Sequence, residues 1–206
     1  MTTNKLDLID FWAFTIAFAP EDVVVDAVER QLSNWWKTGV RTCQGDEPLA
    51  PLQLPKEYNP ARLRVALFAL ESPSPAILIE SNLTDGYRSL SKMLARALPA
   101  ETLAMVRSKP AGRDEWPIEE FCLMNESQGG FVRHVWAALD TSGWKFGNTG
   151  DLREFEDPER YRKRRIRDRF TRGQIVEFLE WLGVDLWSLA EPDSYRLMKC
   201  FEQGPR

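Results

Sequence analysis

Two short turn clusters, Ser127-Gln128-Gly129-Gly130 and Asp140-Thr141-Ser142-Gly143, constrain the fold of this chain more than anything else in it. They separate three apolar runs: Ile118 to Asn125, Phe131 to Leu139, and Trp144-Lys145-Phe146. Gly, Asp and Ser reverse the backbone cheaply. A parallel crossover needs roughly a dozen residues or more, so connections this short leave only antiparallel pairing. The middle of the chain therefore reads as an antiparallel meander.

Strand patterns also flank it. Phe11 to Phe18 alternates large and small residues and is rich in aromatics, which suits a pleated surface. Arg62 to Leu70 alternates as a half-buried strand, Ala76-Ile77-Leu78-Ile79 is a short apolar strand, and Leu103 to Arg107 is another. Helical spacing appears in between. Pro20 opens a stretch in which Val25, Val28, Leu32, Trp35 and Trp36 share one face, and Gly39 stops it. Thr84 or Asp85 can cap a second helix with the face Tyr87, Leu90, Leu94, Ala97 and Leu98, ended by Pro99. Asp157-Pro158 is a helix start, and Thr171 to Gln174 resembles a capping box. The helix after that box carries Ile175, Phe178, Leu179 and Leu182 on one face and ends at Gly183. Residues 43–60 hold four prolines and little periodicity, and read as an irregular connection. The expected fold is α+β: one domain over 1–206, with a central, mainly antiparallel sheet and helices before and after it.

Charge is distributed unevenly. From Pro158 to Gly173 the chain has eight Lys/Arg and two Asp/Glu, a balance of +6 in a chain whose total is −4, which leaves −10 for everything else. If this segment is a helix, as 158–172 predicts, its cations occupy every face: Arg160, Arg164 and Arg167 on one side, Arg162, Arg165 and Arg169 on another. Recognition of DNA needs one basic face and one packing face. The favoured reading is an internal ion-pair network of Arg164, Arg165, Asp168 and Arg169, with burial of at least one of these arginines and pairing to carboxylates. A regulatory nucleic-acid-binding protein using this helix is the alternative.

No catalytic constellation emerges. His134 is the sole histidine and lies in a strand, where a structural role is expected; a general base needs an orienting acid and a nucleophile. Cys43, Cys122 and Cys200 are odd in number and widely spaced, which suits reduced thiols in a cytoplasm and gives no zinc-type ligand spacing. Gly147-Asn148-Thr149-Gly150 lacks the lysine of a phosphate loop. Glu119 and Glu120 are strand neighbours and point to opposite faces. The longest apolar run, Phe11 to Pro20, is about half of what a bilayer span requires. A cytoplasmic protein that is not an enzyme is expected, with no cofactor and no metal. Neither membrane nor nucleic acid is expected as a partner.

Asp114, Glu115 and Trp116, with Glu119 and Glu120, combine acids and an aromatic anchor, the composition of a contact surface for a basic protein.

The stretch from Phe131 to Gly183 carries a resemblance. Phe131-Val132-Arg133-His134-Val135 is followed by Gly143-Trp144-Lys145-Phe146, Gly150, Phe155-Glu156 and Tyr161. Arg164 to Phe170, Ile175, Phe178-Leu179 and Leu182-Gly183 complete it. The pattern is similar to that of small bacterial cytoplasmic proteins of the immunity-protein type, associated with polymorphic-toxin systems. It covers about a quarter of the chain and is structural in kind, so it assigns no active site. The resemblance implies a cognate toxin as partner, bound and blocked by occlusion of its active site.

Overall fold

The computed structural model describes residues 11–36, 39–44, 49, 51–56, 63–83, 88–108, 117–125, 130–186, 188 and 195–201. Among them nine strands form one antiparallel sheet: β1 Phe11–Ala17, β2 Gly39–Gln44, β3 Arg64–Leu70, β4 Ala76–Ser81, β5 Thr102–Ser108, β6 Ile118–Asn125, β7 Gly130–Asp140, β8 Gly143–Gly150 and β9 Arg196–Phe201. Their order is β2-β9-β3-β4-β1-β5-β6-β7-β8. Three α-helices accompany them: α1 Glu21–Trp36, α2 Arg88–Ala97 and α3 Arg172–Trp181. The fold is α+β.

The expected meander is present as β5 to β8, each strand antiparallel to the next. Two features depart from expectation. Gly39 starts β2 instead of leading into a loop, so Cys43 is a strand residue. Its partner is β9, from the far end of the chain, which fits between β2 and β3. The anticipated cap at Thr84 or Asp85, and Tyr87, lie outside the described residues.

Each face of the sheet has its own core. On one face α1 and α2 bury Val24, Ala27, Val28, Leu32, Leu90, Leu94 and Leu98 over Val65, Leu67, Ile77, Ile79 and Met198. The buried face of α1 centres on Val24 and Val28, with Val25 only half-buried, and Ala97 of α2 is exposed. On the opposite face α3 buries Ile175, Phe178 and Leu179 against a layer that includes Trp12, Phe14, Phe68, Leu78, Met105 and Phe121. Burial of each such side chain contributes about 1.5–3 kcal/mol. Being covered twice, β3 and β4 are near-continuous apolar runs, not the half-buried alternation read for β3.

The basic segment is not an α-helix. Asp157 caps a 3₁₀ turn at Pro158–Arg162, accepting from the Glu159 amide at 3.0 Å. The backbone is then extended at Lys163 and Arg165, and a second 3₁₀ turn follows at Ile166–Asp168. Cations in a short run repel one another when wound on one helix, and the segment is pinned to the core at both ends, by Tyr161 and by the fully buried Phe170. The expected capping box does form: Oε1 of Gln174 accepts from the Thr171 amide at 3.0 Å.

Candidate functional site

Of the acid-and-aromatic surface drawn from sequence, Asp114, Glu115 and Trp116 lie outside the described residues. Glu119 and Glu120 are described, and neither offers an open carboxylate. They point to opposite faces of β6, as strand geometry requires. Glu119 meets Arg107 of β5 at 3.2 Å, and burial outweighs that guanidinium, so its carboxyl is raised from 4.5 to about 7. Glu120 is 2% exposed; its Oε1 accepts from Arg88 of α2 and lies 2.7 Å from Nε2 of His134. Both serve the packing of the sheet. The expected contact surface therefore does not extend to them.

Beside Glu120, the structure brings together the residue types that a nucleophilic site would use. Cys122 faces His134 across the β6–β7 pair, with Glu120 two residues along on the same side. A reactive thiol must be held low by positive charge. Here burial first, and the Glu120 charge second, push the Cys122 thiol up to about 12. His134 is stacked on Phe131, with ring centroids 5.7 Å apart, and Lys92 sits over the other ring. The cluster pins α2 to the meander; it does not generate a nucleophile. Among the described residues no group of three or more His, Cys, Asp or Glu is placed to hold a metal ion.

The buried arginine is Arg133, not a member of the basic segment. Arg133, Val135 and Ala137 share the α3 face of β7 and are all buried. Its Nε and Nη2 donate to the two oxygens of Glu156 at 2.7 and 2.6 Å, a bidentate pair with both side chains wholly buried. Nη1 donates to the carbonyls of Thr149 and Gly150 at 3.0 and 3.1 Å, and to the side chain of Asn148. The Tyr161 hydroxyl donates to Glu156, and burial together with that carboxylate holds its pKa well above the ordinary value. Burial alone opposes charge on Arg133, yet Glu156 and Tyr161 hold its pKa above the usual arginine value. This network fastens the start of the basic segment to β7 and β8.

Beyond Tyr161 the expected internal network is absent. Arg164 and Arg165 are exposed, and among the described residues neither meets a carboxylate. Asp168 pairs with Arg167 at 3.7 Å, not with Arg164 or Arg165. Arg169 donates to the carbonyl of Lys163 at 2.8 Å and covers Phe146 at 5.7 Å, without a carboxylate partner. Where the segment leaves helical geometry at Lys163, Lys163, Arg164 and Arg165 are exposed, whereas Arg169 folds back over Phe146. Arg160 alone reaches across, to Asp157 and to Glu177 of α3.

An acidic surface that sequence reading missed lies at the other end of the sheet. Glu21, Asp22, Val25 and Asp26 of α1, Thr42 of β2 and Arg196 of β9 line an open groove of about 500 Å³. Arg196 pairs with Glu21 at 3.0 Å, while Asp22 and Asp26 are exposed. The only sequence signal was the acidic first turn of α1; β9 had to be placed before a groove could be seen. No helix among the described residues is long and apolar enough to cross a membrane. No family model, curated protein or solved structure matches this chain.

Proposed function

We propose that this chain is a non-enzymatic protein-binding module of the immunity type, which neutralises a cognate bacterial toxin in the cytoplasm by occluding its active site. The observation that carries this reading is the groove of α1, β2 and β9. It sets the exposed carboxylates of Asp22 and Asp26 around the half-buried Val25. An acidic groove with an apolar side chain in its floor suits a basic protein partner, since opposite charge speeds encounter. The resemblance of residues 131–183 to immunity-type proteins points the same way. Three free thiols, Cys43, Cys122 and Cys200, accord with a reducing compartment.

The test uses the protein encoded by the adjacent gene. Co-expression with the wild-type chain should relieve that protein's toxicity, and the two should bind directly in a biosensor assay. Asp22→Lys with Asp26→Lys should slow association and abolish protection while leaving the melting temperature unchanged. Absence of any binding sinks the immunity reading. Binding with wild-type kinetics by the double variant moves the contact away from the groove.

A further inference from the structure

Among the described residues the sheet ends at β8, which pairs with β7 alone. Its outer side therefore offers a row of backbone donors and acceptors to an incoming strand. Edges of this kind are usually guarded by proline, a bulge, a cover or a charge. From Gly143 to Gly150 there is no proline, and residues 148–150 are exposed. The guard is charge, predominantly positive. The basic segment packs over the α3 face of this edge strand, held there by Arg169 over Phe146 and by Tyr161 packed on the same ring, with centroids 5.6 Å apart. Lys163, Arg164, Arg165 and Arg167 of this segment are exposed, and Lys145 is an exposed cation on β8 itself.

Four of the neighbouring acids are already engaged, while Asp151 and Glu154 are exposed at the end of β8 and just beyond it. Glu159 pairs with Arg162, Asp168 with Arg167, and Asp157 and Glu177 with Arg160. Arg164 and Arg165 are left without a carboxylate among the described residues, in a chain whose remainder sums to −10. We propose that the β8 edge and the basic ribbon 162–167 form a docking site for an extended acidic polypeptide segment. That segment adds to β8 as a further strand, and its carboxylates are taken by Arg164 and Arg165. Backbone pairing supplies affinity in such strand addition and the side-chain contacts supply selectivity. Arginine suits the role because its planar fork binds a carboxylate through two parallel hydrogen bonds.

A nucleic acid fits the same surface less well. Single strands are gripped by exposed aromatics on which bases stack. Near the ribbon, Phe146 is covered by Arg169, Tyr161 is buried and Trp144 is half-buried. Duplex readout calls for a helix or a β-ribbon in the groove, whereas this segment is two 3₁₀ turns and an extended link. The site is separate from the acidic groove, so it stands or falls independently of the immunity reading.

The experiment titrates the full chain against fluorescein-labelled probes by anisotropy: a peptide of alternating glutamate and valine, its lysine–valine counterpart, and an oligothymidylate of similar length. The glutamate peptide should bind, with an affinity that falls as salt rises, and amide hydrogen exchange across 143–150 should slow in the complex. Arg164→Glu with Arg165→Glu should weaken that binding roughly tenfold or more at an unchanged melting temperature, since neither side chain supports the fold. Three results would overturn the proposal: no glutamate-peptide binding, binding without added protection of β8, or tighter binding of oligothymidylate, which would make the ribbon a nucleic-acid site.

Discussion

Arg133 and Arg164 carry the same side chain with opposite consequences. The guanidinium of Arg133 is wholly buried and bidentate with Glu156, and its remaining donors are taken by Asn148 and two carbonyls. Removing one partner of such a pair leaves an uncompensated buried charge, at a cost of about 3–5 kcal/mol. Arg133→Ala should therefore lower the urea midpoint steeply, while Arg164→Ala and Arg165→Ala should stay within about 0.5 kcal/mol of wild type. Equal effects from all three would refute the assignment. The sequence held a signal for Arg133: it falls in phase with Val135 and Ala137, the core-facing set of β7. A lone arginine among apolar neighbours is easily read as an outward residue, whereas a run of eight cations draws attention that burial does not justify. Glu119 supplies a second residue-scale expectation. A carboxyl raised by burial from 4.5 to about 7 favours folding while it is protonated, and the contribution is lost as pH rises through about 7. A shift of that size corresponds to a ceiling on the order of 3 kcal/mol. Chemical denaturation at about pH 5 and about pH 8 should show lower stability at the higher pH, with a shallower difference in Glu119→Gln. Glu80, raised by its own burial despite Lys56 at 3.0 Å, contributes with the same sign, so the dependence should shrink without vanishing. A Glu119→Gln protein with the full wild-type slope would place the titration elsewhere.

At the scale of elements, the meander was legible because its information is local. Alternation sets which residues face the core, and the turn residues set the direction of the next strand. The β7–β8 hairpin depends on glycine for two different reasons. At Gly147 an added Cβ would lie 2.1 Å from Nε1 of Trp136, whose indole covers that position on the partner strand. At Gly150, with φ +84°, the added carbon would come within 2.2 Å of the carbonyl oxygen of Val132 in a conformation that side chains rarely adopt. Gly143, with φ +108°, has open space around it. In urea melts Gly150→Ala should be the most damaging of the three, since backbone cannot swing aside. Gly147→Ala should cost on the order of 1–3 kcal/mol through overpacking, and Gly143→Ala about 1 kcal/mol from backbone strain alone. A Gly143→Ala loss as large as that of Gly150→Ala would show that steric collision is not what distinguishes these sites. The basic segment differs from expectation at this same scale: the Asp157-Pro158 start predicts one helix, while anchoring at Tyr161 and Phe170 and mutual repulsion of the cations divide it into two short turns.

Across the whole molecule, closure of the sheet depends on a strand that no local pattern announces. β9 comes from the end of the described chain, yet it separates β2 from β3 and forms the ladder on both sides. Its Met198 is fully buried beneath α1 and α2 with Cys200 nearly so, while Leu197 packs into the core on the opposite face. Short strands whose partners lie more than a hundred residues away carry their pairing in tertiary contacts alone, which is why β2 and β9 were invisible beforehand. The same strand completes the acidic groove through Arg196, so the proposed contact surface exists only after β9 has docked. Deleting 195–206 should then detach β2, expose the flank of β3 and remove one wall of the groove. An unpaired edge on an apolar strand such as β3 promotes association between chains. The truncated protein is expected to lose its cooperative thermal transition and to elute as soluble aggregate on size-exclusion chromatography. Substituting Asp for Met198 in the full-length chain should act in the same direction but less severely, because the backbone ladder can still form around one unfavourable side chain. A truncated chain that stays monomeric and melts cooperatively would mean that β3 to β8 fold without β9, and that the β2–β9 pair is an appendage carried by an already complete sheet.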